Sequence, residues 1–234
     1  MCNYKSAIVR RNEASKDGFD LLFSPWTESH SELCTIFHLQ DGARLNYAFV
    51  EFSPPSLETA YLVETYKLRL DENRAPDWWS AAMREAVADR MRAYIASIIV
   101  HGDVDLLIGG QFVIAPGANI KRAKAMIISA MCGGTLTEMW GGTLTAMWGG
   151  TLTAMHGGTI TKMWGGTLTA MHGGTLTEMW GGTLTAMHGG TLTVMRGGTL
   201  TEMWGGTLTE MHGGTLTAMH GGTLTVLMHE VFRS

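Results

Sequence analysis

The sequence predicts a mainly β protein: an octapeptide-repeat β-solenoid over residues 101–228, preceded by an N-terminal α+β capping segment over residues 1–100. Three observations predict it. From Gly133 onward the chain repeats GGTLTxMx twelve times without an insertion, fixed except for Ile160 at one Leu position and Leu227 at the last Met position, and a short repeat held at constant phase marks a stacked architecture. The composition agrees, with 30 Gly and 17 Met but only 5 Pro and 16% charged residues; Gly without Pro points to a repeat rather than a disordered tract. Helix is excluded, because two adjacent glycines in every eight residues would cost about 2 kcal/mol per repeat relative to Ala.

In the N-terminal segment, NYAFVEF (46–52) alternates as a strand, Asp41-Gly42 before it is a turn signal, and Pro54-Pro55 ends it. YKLRLDE (66–72) is a second strand. A helix opens at Pro76-Asp77 and runs to Ile98, with Trp79, Met83, Ala86, Arg90, Tyr94 and Ile98 near one face.

The octad phase extends backwards through HGDVDLLI, GGQFVIAP, GANIKRAK and AMIISAMC, so residues 101–132 form four degenerate octads and 133–228 twelve regular ones. Position four stays apolar (Val104, Phe112, Ile120, Ile128), as does position seven (Leu107, Ala115, Ala123, Met131); both therefore point inward. Positions three and five are Thr in the regular repeats but include Asp103, Asp105, Lys121 and Ser129 in the degenerate ones, so they face water. Thr-Leu-Thr is then a strand with Leu inward. The three-residue step from Leu to Met implies a bend near position six, and Gly-Gly supplies the corner. Position eight alternates Trp and His from Trp148 to His188, which gives a sixteen-residue coil of two octads, with slips at Trp140 and after Arg196. Duplication of sixteen-residue units would leave the same trace. Residues 229–234, with Phe232, read as a C-terminal cap on the open edge.

A net charge of −4 argues against a nucleic-acid binder. Cys2, Cys34 and Cys132 are too scattered for a disulfide framework. No signal peptide is seen, and no stretch reaches the roughly 18 apolar residues of a membrane span. The expectation is a cytoplasmic protein without membrane contact. His30, Cys34 and His38 fall four apart and would share a helix face as a metal or thiolate site, against the simpler reading of packing residues. No phosphate loop, nucleophile elbow or zinc pattern occurs, so neither catalysis nor a cofactor is expected.

The outward surface of the solenoid holds the remaining candidates. Stacked coils would align Thr143, Thr145, Thr151, Thr153, Thr159, Thr161, Thr167, Thr169, Thr175 and Thr177 in files as a ligand face. Trp148, Trp164 and Trp180 would form an interaction file on one edge, and His156, His172 and His188 a ladder on the other. Stacked His suits metal; stacked Trp suits a glycan or a protein partner.

The Thr-x-Thr array resembles those of insect antifreeze and bacterial ice-nucleation solenoids, which implies ice binding; the Ser and Tyr positions of the ice-nucleation pattern are missing. The octad resembles the VxGxxxxx repeat of trimeric phage-tail and secretion-spike needles, which implies a homotrimer, although here each octad has two Gly and two apolar anchors. RLDENRAPDWW (69–79), HGDVDLLIGG and the octads together resemble phage and prophage short-repeat proteins. The reading that follows is a non-catalytic scaffold or binding rod with a protein partner or self-association; ice binding and a trimeric spike are the alternatives.

Overall fold

A computed structural model describes residues 5–24, 27–39, 46–71 and 75–227. The Asp41-Gly42 turn and the cap at 229–234 lie outside these residues. The chain forms two compact units that meet in sequence between Ile98 and Ile99.

The first unit is built on an antiparallel sheet of β1 (Lys5–Arg11), β2 (Phe19–Leu22), β3 (Tyr47–Ser53) and β4 (Lys67–Leu70), in the order β2-β1-β3-β4. β3 alternates as its sequence predicts, with Ala48, Val50 and Phe52 fully buried. β1 was not apparent in the sequence. Its residues from Lys5 to Val9 are all buried, and a strand covered on both faces loses the period-two signature.

The described residues of the unit also form two α-helices, α1 (His30–Ile36) and α2 (Ala81–Ile98), and two 3-10 turns, Leu57–Thr59 and Val63–Thr65. α2 begins later than Pro76 implies: the Trp79 amide donates to the Pro76 carbonyl at 2.9 Å, closing a turn. The Ser80 hydroxyl then accepts from the Met83 amide at 3.1 Å, the N-cap arrangement that satisfies an orphan donor. The buried face also differs from the expected one. It comprises Val87, Ala88, Met91, Ile95 and Ile98, so of the six expected residues only Ile98 is buried. Arg90 instead reaches outward to pair with Asp17, its guanidinium 4.7 Å from the Phe19 ring centroid.

The second unit is a β-solenoid. Its strands are β5 (Ile99–Val100), β6 (Asp103–Ile108), β7 (Gln111–Ile114), β8 (Asn119–Lys124), β9 (Ile127–Met131) and β10 (Thr135–Met139). One five-residue strand per octad follows, up to β20 (Thr215–Met219) and β21 (Thr223–Leu227). Even-numbered strands form an eight-stranded sheet and odd-numbered strands a nine-stranded one. Thr135 pairs with Thr151 and Met139 with Met155, all in parallel. One coil is therefore sixteen residues, one octad in each sheet.

Between the sheets lies a single apolar core. Position-four residues from Leu136 to Leu208 and position-seven Met residues from Met139 to Met203 are 0% exposed. Leu packs in defined rotamers and unbranched Met fills what is left. Ile120, Ala123, Ile128 and Met131 continue the core into the degenerate octads. One assignment there changes: Ile114, not Ala115, pairs with Met131, because the register shifts between Phe112 and Val113.

Within each regular octad, positions three, four, six and seven pair with the next coil and position five is skipped. The irregularity thus sits at Thr five, one residue before the expected bend. It allows Leu and Met, three residues apart, to share the inward side. The corners also carry hydrogen bonds: Thr159 donates to the Gly142 carbonyl of the preceding coil at 2.9 Å, so the ladder runs on past the strand ends.

Candidate functional site

The first unit offers two clusters of reactive side-chain types. α1 ends at Ile36, so His38 lies beyond it, at φ 52°, and does not share a face with His30 and Cys34. His30 is occupied: its Nδ1 is 3.1 Å from Asp71 Oδ2 and its Nε2 is 3.2 Å from the Val50 carbonyl. Its ring packs 5.0 Å from that of Phe49. Among the described residues, no three His, Cys, Asp or Glu side chains are grouped to hold a metal ion.

The second cluster is Lys5 with Glu28 and Tyr94. Lys5 Nζ donates to the Ser24 carbonyl and to Glu28 at 3.1 Å. Burial lowers the Lys5 pKa and the Glu28 carboxylate opposes that shift. Burial, helped by Glu28, pushes the Tyr94 hydroxyl up to about 12. The Lys5 side chain is 0% exposed, so no ligand reaches its amine; the cluster fastens β1 internally.

The solenoid presents its candidates on two sheets and two edges. The ten Thr residues divide between the sheets. Thr143, Thr145, Thr159, Thr161, Thr175 and Thr177 belong to the odd sheet, and Thr151, Thr153, Thr167 and Thr169 to the even sheet. Position-three Thr is half-buried; at position five Thr145 and Thr153 are exposed, while Thr161, Thr169 and Thr177 are half-buried. Each sheet therefore has two Thr files, about 7 Å apart along the strand and about 4.8 Å apart from coil to coil. On the even sheet, Ala154, Ala170 and Ala186 stand in line at position six, which leaves a stretch of Thr and Ala without charge. The odd sheet carries Lys162 and Glu178 at the same position, 3.8 Å apart.

Position eight forms the edges. Along one, Trp140 stacks on His156 at 4.1 Å, His156 on His172 at 5.2 Å, His172 on His188 at 5.1 Å, and Trp204 on His220 at 4.1 Å. Along the other, Trp148, Trp164 and Trp180 stack at 5.3 and 5.2 Å, and Arg196 continues the file 5.0 Å above Trp180. The ring faces are turned toward each other along the file, so what Trp164 and Trp180 expose, 38% and 42%, is chiefly ring edge. A sugar that stacks on an indole face finds that face taken in mid-file.

Sequence reasoning missed the link between positions six and eight. The indole N–H of Trp140 donates to Glu138 at 2.9 Å, and those of Trp180 and Trp204 to Glu178 and Glu202 at 2.8 Å. His212 meets Glu210 at 2.7 Å in the same way. The signal was present as Glu two residues before Trp, a spacing that places both side chains outward when position seven points in. Comparisons with known protein families, with characterised proteins and with solved structures find no match to this chain.

Proposed function

We propose that this protein is a non-catalytic β-solenoid scaffold or binding rod of the phage or prophage type, with a protein as its partner. The observation that carries the reading is the division of labour within the octad. In the regular octads core and corner positions are constant apart from Ile160 and Leu227, whereas the remaining variation falls at positions six and eight, whose side chains lie together on the edges. A partner that reads the rod would read those edges. Aromatic residues and Arg, here Trp180 under Arg196, are the side chains that contribute most at protein interfaces. No described helix is long and apolar enough to cross a membrane.

A trimeric needle would place Leu and Met between three chains. Here a single chain buries both, which favours a self-contained rod. Light scattering on the full chain tests this: the expected mass is the 25.4 kDa of one chain, and a stable trimer would overturn the rod in favour of the needle.

The in-register Thr files give ice binding specific support as a second reading, strongest on the even sheet beside Ala154, Ala170 and Ala186. Thermal hysteresis is the measurement. The reading expects hysteresis in the parent and its loss when Thr153 and Thr169 are both replaced by Tyr without loss of β-structure. A parent with no hysteresis ends it.

A further inference from the structure

The chain is acidic overall, with a net charge of −4, yet one furrow of the first unit gathers cations. β4 is an edge strand of the sheet, and strand alternation puts Lys67 and Arg69 on its exposed side with Leu68 buried between them. On one flank α2 adds Arg84 and Arg92 to a cleft of about 340 Å3, in which Glu85 is the only carboxylate among the described residues. On the other flank Lys67 and Arg69 also line a second cleft, of about 460 Å3, closed by Ser53, Ser56 and Pro54-Pro55.

The cations are arranged rather than merely close. Arg84 Nη2 donates to the Leu68 carbonyl at 3.3 Å, which fixes the guanidinium over β4 with most of its donors unused. Arg92 is held by Asp89 at 2.5 Å and lies 6.0 Å from the Phe52 ring centroid. Lys67 and Arg69 are exposed, and neither makes an ion pair with a described residue. Besides Glu85, the acidic groups nearby are Asp89, which holds Arg92, and Glu51, the cross-strand partner of Arg69 in register. Gathering like charges in a concave site raises the potential felt by an incoming anion.

From this geometry we infer that the β4–α2 furrow is a binding site for a ligand carrying two or more phosphate groups. The planar Arg fork matches phosphate oxygens in pairs. Lys67 and Arg69 lie about 7 Å apart along the strand, and Arg84 and Arg92 about 12 Å apart along the helix. One small monoanion meets only part of that set, whereas a ligand with separated phosphates spans it. Among the described residues no aromatic ring lines either cleft, and such a ring is the stacking platform that single-stranded nucleic acid uses.

Isothermal titration of the full chain with inorganic tripolyphosphate is the test, at low and at high salt. Binding should weaken as salt rises, and Lys67→Ala and Arg69→Ala should each weaken it about tenfold, the size of a lost charged hydrogen bond. Arg69→Gln, which keeps the length of the side chain, guards against an effect of altered folding. Vesicles containing phosphatidylinositol bisphosphate distinguish a lipid headgroup from a free polyphosphate as the source; loss of either interaction in the variants supports the site. The inference fails if neither probe binds, if the variants bind as the parent does, or if citrate binds as well as tripolyphosphate.

Discussion

Gly141 and Gly142 stand side by side in one corner of the solenoid under different constraints. A Cβ on Gly141 would meet nothing within 4 Å. Gly142 has φ +84°, and its Cβ would lie 2.3 Å from the Met126 carbonyl oxygen and 2.7 Å from the Met126 nitrogen. Both of these are backbone atoms in the preceding coil and cannot turn aside. Left-handed backbone alone costs an L-residue about 1–2 kcal/mol, and the clash adds to it. Gly142→Ala should therefore destabilise the solenoid by about 2 kcal/mol or more, while Gly141→Ala should stay within about 0.5 kcal/mol of the parent or stabilise slightly. Denaturant unfolding of the two variants checks this, and equal midpoints would show that the corner is not built as described. The first glycine is not free in every coil: at Gly165 the added Cβ would lie 2.6 Å from the Trp148 carbonyl oxygen. Close stacking of coils, more than φ, holds that position to Gly.

At the scale of the element, Glu at position six couples to position eight in four octads, and the rung at Trp148 lacks the coupling. Trp148 has a buried indole N–H with no partner, because its position six is Ala146 where Trp140, Trp180 and Trp204 have Glu. Ala146 pairs in register with Lys162, so a carboxylate there would meet both an orphan donor and a cation. Ala146→Glu is expected to raise stability by about 1 kcal/mol, read as a higher thermal midpoint; a lower midpoint would mean that the rung has no room for the carboxylate. The same elements show what the sequence could and could not disclose. Leu and Met at fixed phase made the solenoid legible, and the Trp/His alternation from Trp148 to His188 made the two-octad coil legible. The slip after Arg196 leaves the coil unchanged, because Leu, Met and Gly-Gly set the pairing and position eight only decorates it. β1 was illegible, since burial of both faces erases its alternation. The face of α2 was misplaced by about one residue, because Met83 and Tyr94 fall on the same broad apolar stripe as Met91 and Ile95, and only its far side is buried. The furrow on β4 was invisible too: its cations come from 67, 69, 84 and 92, which only folding brings together.

The whole solenoid distinguishes two lengths that its sequence confounds. The core repeats every eight residues, since Leu and Met are buried alike in both sheets, but pairing repeats every sixteen. Removing one octad and removing one coil should thus have the same effect on the core and opposite effects on the edges. Deletion of residues 149–164 takes out a full coil and brings Trp180 next to Trp148, in the file where Trp164 stood. Deletion of residues 157–164 takes out half a coil and moves every later octad to the other sheet. Trp148 then neighbours His172, Trp180 crosses to the opposite edge, and no two of the three indoles remain stacked. Both variants should keep parallel β-structure, because neighbour-to-neighbour stacking is preserved throughout. Only the sixteen-residue deletion should keep the exciton signal that closely stacked indoles give in circular dichroism. If the eight-residue deletion keeps that signal as well, it does not arise from the Trp148–Trp180 file. If it unfolds the solenoid, the two sheets are not equivalent, and the uncharged Thr and Ala stretch of the even sheet is then a structural requirement rather than a surface free to take a ligand.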